Sequence, residues 1–281
     1  MNAVILLMIV VFVALQGVLK KAFNEKVTGG AYFFSALSTV AAMLFFVVTS
    51  GNMEFNPDFL PYSLGFGISY AMSLIFGVLA IYHGSLSLTT LITSYSLMIP
   101  TLYGLIFLPE SASNWLYIGI ALLAVSLILV NKTSKNNPIS FKWVVYVFLS
   151  FLGNGMCSVV QNMQQKAFDG AYKNEFMIAA LIFVVIVSGI LTIAKERKMF
   201  TVYLKKGWIL AILCGIMNGV ANLFVMILSN KMPASVMFPT ISAGGIVITY
   251  IISKLLYKET LTNKQLIGFA IGTLSVIFLS I

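Results

Sequence analysis

The chain has 281 residues, of which 60% are hydrophobic and only 9% are charged. Soluble domains carry roughly 25% charged residues, so this composition excludes a water-soluble protein and predicts an integral membrane protein in a lipid bilayer. The net charge of +9 does not indicate a nucleic-acid partner, because the basic residues lie in short clusters at the ends of apolar runs and not along one polar face.

Ten segments of the chain are apolar enough to cross a bilayer, which takes about 20 residues of α-helix. The first segment is apolar from its start and lacks a basic region before it, so we interpret it as a membrane helix and not as a cleaved signal. The longest polar stretches, 131–142 and 195–206, leave no room for a soluble domain. In chain order the predicted segments are 2–20, 30–50, 60–82, 87–108, 114–130, 143–164, 175–194, 207–229, 234–256 and 262–280.

The second half of the sequence repeats short motifs of the first half in the same order. The tripeptide KAF at 21–23 recurs at 166–168, and the dipeptide GI at 67–68 recurs at 215–216. A glutamate followed at a distance by a glycine also occurs twice. Each copy follows the first by 145 to 149 residues, which indicates an internal duplication. The predicted repeats span 1–131 and 141–281, and the third recurring pair is Glu110 with Gly119, then Glu259 with Gly268.

Each predicted repeat holds five helices, and this odd number decides how the repeats are related. The second repeat must enter the membrane from the opposite side, so a pseudo-two-fold axis in the membrane plane relates the two. We therefore predict an all-α membrane protein with ten transmembrane helices in two inverted five-helix repeats. Secondary transporters often share this architecture, with a substrate site between the repeats near the midplane.

The basic residues predict how the chain is oriented in the membrane. Of the 17 lysines and arginines, only Lys166, Lys173 and Lys231 fall on one predicted side. The positive-inside rule assigns the other side, which is rich in lysine and arginine, to the cytoplasm. Both termini are then expected outside, in a multi-pass protein of the plasma or inner membrane.

Polar side chains inside a membrane cost free energy unless they are paired or face a cavity. In the sixth segment Asn154, Ser158 and Gln161 are spaced so that they share one helical face, and Asn218 and Asn222 do the same in the eighth. Such stripes could line a central cavity that orients a small polar solute, or they could bond helices together. The predicted substrate-binding residues are Gln16, Tyr70, Tyr95, Asn154, Ser158, Gln161, Asn218 and Asn222.

The sequence offers no catalytic constellation and no cofactor motif. Its single histidine is His83, and its two cysteines, Cys157 and Cys214, lie inside apolar runs. These counts argue against a disulfide framework and against histidine-based metal chemistry. No nucleophile and base share a catalytic spacing, and no glycine-rich phosphate loop precedes a helix. We expect neither an enzyme nor a bound metal or cofactor.

The helix number, the duplication and the recurring glutamate motif together resemble the drug/metabolite transporter superfamily in its EamA-type form, over nearly the whole chain. In that family an apolar run, often with a proline, leads to the glutamate at the end of each fourth helix, and a glycine follows. The resemblance implies a secondary transporter of small organic metabolites that works by alternating access, without specifying a substrate. The matching residues are Pro100, Glu110 and Gly119 in the first repeat, and Glu259 and Gly268 in the second, where Thr249 takes the proline position.

Small multidrug-resistance proteins of the same superfamily carry a membrane-embedded carboxylate in their first helix, whereas this chain has Gln16 there. An amide cannot release a proton, so a neutral or zwitterionic solute, for example an amino-acid-like one, is favoured. One alternative is an organic cation, such as a quaternary amine or a drug, held by cation–π attraction to tyrosine rings. A second is a non-transporting accessory or sensor protein. The tyrosines that keep the first alternative open are Tyr70, Tyr95, Tyr103 and Tyr250.

The two recurring glutamates are predicted to be structural corners. Glu110 and Glu259 would end the fourth helix of each repeat, and their negative charge would stabilise the N-terminus of the next helix. A gating contact is the alternative role. Inverted symmetry would separate them onto opposite membrane faces. Paired glycines weaken a helix, so Gly244 and Gly245 are the predicted hinge.

Overall fold

The structure is a computed structural model that describes residues 2–51, 53–100, 103, 114–131, 140–229, 231, 234–258 and 261–278. Within these ranges the chain forms helices and no strands. The predicted corners Glu110 and Glu259 lie outside the described residues.

In the described residues an α-helix overlaps each predicted segment, and the boundaries differ by a few residues. The first helix continues past the predicted end at 20, because the lysines, alanine and glutamate that follow are good helix formers. A short 3₁₀ turn, Pro57–Phe59, precedes the third helix, and a second, Tyr95–Leu97, follows the fourth. The helices are α1 (Asn2–Lys26), α2 (Ala31–Thr49), α3 (Leu60–His83), α4 (Leu86–Ser94), α5 (Asn114–Asn131), α6 (Phe141–Ala167), α7 (Lys173–Leu191), α8 (Phe200–Ser229), α9 (Ala234–Leu256) and α10 (Asn263–Phe278).

Several of these helices suit a bilayer. Among the described residues, five helical spans are long and apolar enough to cross a membrane. Their outward faces are apolar as well: Val48 is 82% exposed and Leu255 is 73% exposed, a cost in water but not in lipid. The long spans are Asn2–Lys26, Ala31–Thr49, Pro57–His83, Phe141–Ala167 and Lys173–Leu228, and the shorter apolar helices are Leu88–Pro100, Thr240–Leu256 and Leu266–Ser275.

The helices of the two halves pack against each other and not as separate bundles. Helix α1 packs against α8 and α9, and α6 packs against α3 and α4. Helix α2 contacts α7 and α8, α3 contacts α7, and α5 pairs with α10. Phe46, Phe66 and Phe176 are fully buried where α2, α3 and α7 meet. The interface between the halves is therefore the core of the protein.

Two glycines of the recurring GI dipeptide permit close helix crossings between the halves. At Gly67 of α3, an added Cβ would lie 2.9 Å from the main-chain oxygen of Ala180 in α7. At Gly215 of α8, it would overlap the main-chain oxygen of Ser38 in α2. A rigid backbone cannot yield as a flexible side chain can, so these crossings require glycine. Both glycines belong to the recurring GI dipeptide, so the motif marks equivalent contacts.

The pair α5 and α10 is joined by two reciprocal hydrogen bonds. Ser126 Oγ donates to the Gly268 carbonyl at 2.6 Å, and Ser275 Oγ donates to the Gly119 carbonyl at 2.7 Å. The acceptors are the two glycines of the recurring glutamate motif. Tyr95 adds a third bond, because its hydroxyl lies 2.5 Å from Ser126 Oγ and that serine already donates its proton to Gly268. The motif glycines thus serve helix pairing.

This arrangement makes Ser126 the more costly serine to remove. Ser126→Ala leaves the buried Tyr95 hydroxyl without its partner and removes a second bond from the Gly268 carbonyl, whereas Ser275→Ala only removes a second bond from the Gly119 carbonyl. An unpartnered buried group costs about 1–3 kcal/mol, so Ser126→Ala is expected to lower the unfolding midpoint in detergent further than Ser275→Ala. A thiol-reactive dye can report unfolding, because Cys157 and Cys214 are both buried. Equal shifts for the two variants would contradict the assignment.

A carboxylate from the second half caps the start of α2. Glu196 ends the π-helical turn that follows α7, and its two oxygens accept from the Tyr32 and Phe33 amides at 3.3 and 2.8 Å. Gly30 begins the helix in a left-handed conformation, with φ of 81°. A negative charge is favourable at a helix N-terminus. The cap ties the α1–α2 turn to the α7–α8 connection.

Candidate functional site

A cavity of about 260 Å³ lies where the two halves meet. Three helices of the first half, α1, α3 and α4, and three of the second, α6, α8 and α9, contribute to its wall. Apolar side chains such as Ile9, Leu74 and Ile241 form part of the lining. The polar lining residues are Gln16, Lys20, Tyr70, Ser73, Thr89, Thr90, Thr93, Ser94, Ser150, Asn154, Ser158, Gln161, Asn218, Asn222 and Ser242.

Asn218 is the centre of a hydrogen-bond network on one side of the cavity. Its Oδ1 accepts from Tyr70 Oη at 2.9 Å and from Asn222 Nδ2 at 3.1 Å. Its Nδ2 donates to Gln16 Oε1 at 3.0 Å. The network joins α1, α3 and α8. The two amides of α8, Asn218 and Asn222, lie four residues apart and therefore face the same way. Four of the predicted binding residues therefore meet at one place.

The α6 face supplies the opposite set of polar groups. Asn154 Nδ2 donates to Ser96 Oγ at 2.7 Å, and Ser158 Oγ donates to the Asn154 main-chain carbonyl at 3.3 Å. Gln161 is 5% exposed, and its Nε2 finds no hydrogen-bond partner among the described residues. A buried donor without a partner is costly. A bound solute that accepts from Gln161 would remove this cost.

The hydroxyls of α4 belong to the cavity wall, but two of them are already committed. Thr93 Oγ1 donates to the Thr89 carbonyl one turn earlier, at 2.9 Å. Thr89 Oγ1 accepts from Trp143 Nε1 at 3.0 Å. These bonds stabilise α4 and its contact with α6, so the amides of α1, α6 and α8 are better placed to contact a solute.

Tyr95 lies apart from the other predicted binding residues. It is 1% exposed, does not line the cavity, and directs its hydroxyl to Ser126. The ring reaches this position because Gly272 leaves space for it: an added Cβ there would overlap the Tyr95 hydroxyl. We therefore leave Tyr95 out of the candidate site and assign it to helix packing.

The predicted hinge and kink residues have different surroundings. Gly245 lines the cavity, whereas an added Cβ at Gly244 would lie 2.7 Å from Val10 Cγ1 of α1. Helix α9 runs unbroken through both glycines. Pro100 is half-buried in the helical residues that follow α4 and is not part of the cavity wall. Any hinge motion at Gly244 would have to slide past α1.

The sequence interpretation missed Lys20 as a cavity residue. Lys20 was counted only as one of the basic residues at a membrane boundary, yet its side chain lines the cavity. The available signal was its position four residues after Gln16, which places both on one face of α1. A lysine at the end of an apolar run is usually solvated, so the sequence interpretation placed Lys20 at the membrane boundary in spite of this spacing.

The described residues combine apolar spans with a polar cavity between the two halves, an arrangement typical of multi-pass membrane transporters. Residues 141–281 match the EamA-like transporter family, and the chain belongs to that family. Members of the family are transporters and not enzymes.

Comparison with solved structures shows that the fold is shared with other proteins. One match, described as "Crystal structure of protein", has a TM-score of 0.69 and 10% sequence identity, and it covers 99% of this chain and 95% of that chain. Such low identity supports a shared fold and nothing about substrate. In all, 28 solved chains match. No curated protein gives a significant match to the sequence.

Proposed function

We propose that this protein is a secondary transporter that moves a small neutral or zwitterionic metabolite, such as an amino-acid-like solute, across the cell membrane by alternating access. The observation that carries the proposal is the polar cavity at the interface of the two halves, with three helices from each half in its wall. A site shared between halves can open to one side or the other when the halves move.

The proposed architecture is ten transmembrane helices in two inverted repeats, 1–131 and 141–281, with both termini outside. The reciprocal bonds between α5 and α10 support it, because equivalent serines donate to equivalent glycines. The crossings at Gly67 and Gly215 support it in the same way. The packing of α1 on α8 also has its counterpart in that of α6 on α3. An approximate two-fold axis accounts for all three pairs.

The size and chemistry of the cavity support a small polar solute. Drug-sized ligands occupy pockets of roughly 300–1,000 Å³, and the volume here is about 260 Å³. The wall offers amides and hydroxyls, and no acidic side chain is among its described residues. Without a carboxylate, the described wall has no group that could exchange a proton for a cation.

The alternative of a quaternary amine held by tyrosines loses support. Tyr70 is one of the four tyrosines that could hold such an amine. It lines the cavity, and its ring stacks on Phe66 with centroids 5.7 Å apart. Tyr250 packs on Phe269 at 4.7 Å, and Tyr95 serves the α5–α10 pair. A cationic ligand would also be repelled by Lys20 in the cavity wall.

Reconstitution into proteoliposomes tests the proposed function. We expect vesicles that contain the protein to exchange at least one labelled amino-acid-like solute against its unlabelled form, with a rate above that of empty vesicles. The same solute should raise the unfolding midpoint in detergent, because a ligand that binds only the folded state stabilises it. A panel with neither exchange nor stabilisation would favour the accessory or sensor alternative.

A further inference from the structure

Lys20 is a cation in the cavity wall that has no partner among the described residues. Its side chain is half-buried, and within the described part of the chain it makes no hydrogen bond or ion pair. The next residue differs: Lys21 lies over the Tyr257 ring, 5.9 Å from its centroid. A charge that is drawn from water into a partly apolar cavity loses solvation free energy unless another charge or dipole compensates it. The described residues of the cavity wall offer Lys20 no such partner.

The neighbouring amide offers a second donor on the same face of α1. Gln16 uses its Oε1 to accept from Asn218, so its Nε2 remains available. Residues four apart on a helix are neighbours, and Nζ of Lys20 and Nε2 of Gln16 can therefore point at one acceptor. Across the cavity, Gln161 Nε2 is another donor without a partner. Donors thus predominate among the uncommitted groups.

We propose that Lys20, supported by Gln16, binds a carboxylate of the transported solute. This inference rests on the proposed transport function and narrows its substrate class to carboxylate-bearing solutes. A carboxylate accepts several hydrogen bonds at once, and its bonds to an ammonium group are roughly twice as strong as neutral ones. The negative charge of the carboxylate compensates the Lys20 ammonium group for the hydration that it loses when the solute binds.

Acceptor groups elsewhere in the cavity wall favour a zwitterion over a simple monocarboxylate. Asn154 and Asn222 use their Nδ2 groups as donors, to Ser96 and Asn218 respectively, which leaves their Oδ1 atoms as acceptors. An ammonium group on the solute can donate to these oxygens while its carboxylate meets Lys20. An α-amino acid carries both groups, and its volume suits a cavity of about 260 Å³.

Transport of matched solute pairs by Lys20 variants tests the inference. The probes are amino acids and short 2-hydroxy acids, each measured against its own carboxamide, which keeps the shape and loses the negative charge. For wild-type protein we expect exchange of at least one acid, and a rate for its carboxamide at least about tenfold lower. Lys20→Gln should raise the half-saturation concentration for the acid about tenfold or more, the effect of losing one charge-assisted hydrogen bond. Lys20→Arg should retain most of the affinity.

Lys26→Gln is the matched control, because Lys26 lies on the same helix, is exposed, and carries the same charge. It should leave the half-saturation concentration unchanged. Equal transport of acids and carboxamides by wild-type protein would overturn the inference while leaving the transport function intact. So would an equal loss for both solute types in Lys20→Gln, which would indicate a structural role. Absence of exchange with every probe would instead overturn the transport function itself.

Discussion

Replacing Asn218 with leucine is expected to lower solute exchange per folded molecule by about 10- to 100-fold. The leucine keeps the branched shape but removes the side-chain acceptor of Tyr70 Oη and Asn222 Nδ2 and the donor to Gln16. Each buried polar group left without its bond costs about 1–3 kcal/mol, and each 1.4 kcal/mol is a factor of ten in rate or affinity. Tyr70 and Gln16 lose their partner and will reorient, whereas Asn222 Nδ2 keeps its bond to the main-chain carbonyl of residue 218 at 3.0 Å. Exchange in proteoliposomes, normalised to folded protein, measures the effect.

Asn162→Leu is the control for this change. Asn162 lies in α6 beside Gln161, is half-buried, and does not line the cavity. The same chemical change at this position should leave exchange close to that of the wild type. If the two leucine variants transported equally well per folded molecule, the network around Asn218 would have no part in solute binding.

Replacing Gly215 with alanine is expected to destabilise the protein by about 1–3 kcal/mol, the usual cost of overpacking a close-packed site. The new methyl group overlaps the Ser38 carbonyl, so α2 and α8 must separate. Gly67→Ala should also destabilise, but less, because its nearest backbone atom lies 2.9 Å away. Thermal unfolding in detergent, followed with a thiol-reactive dye, measures both.

Gly189→Ala is the control, and it is expected not to destabilise the protein. No heavy atom lies within 4 Å of an added Cβ at Gly189 of α7, and alanine favours a helix interior over glycine by about 0.8–1.0 kcal/mol. This variant should therefore be as stable as the wild type or more so. Equal behaviour of the three alanine variants would contradict the equivalent crossings that support the inverted repeat.

The helices could be predicted from the sequence because the length of each apolar run is a direct physical signal. Membership of the EamA-like family could be predicted because the recurring motif lies where α5 and α10 pair, with the Gly119 and Gly268 carbonyls accepting hydrogen bonds across the pair. The ends of helices were less predictable. Helix α1 runs on to Lys26 because helix propensity, and not apolarity, decides where it stops.

Much of the candidate site could be predicted from helical periodicity. Asn154, Ser158 and Gln161 recur on one face of α6 and meet the Asn218 network across the cavity. Tyr95 was assigned to this cavity because the sequence could not reveal that Gly272 leaves room for its ring elsewhere. Lys20 escaped notice because a lysine at the end of an apolar run is usually solvated. Tertiary packing decides both cases.

Alternating access can be tested by the accessibility of one cavity position from both sides of the membrane. Ser158→Cys, in a chain with Cys157→Ala and Cys214→Ala, leaves one thiol, at a half-buried residue of the cavity wall. A membrane-impermeant thiol reagent would be applied to either face of oriented vesicles, with and without a transported amino acid. Alternating access predicts labelling from both faces and slower labelling when the solute is bound. Labelling from one face alone, unaffected by any solute that exchanges, would contradict the account.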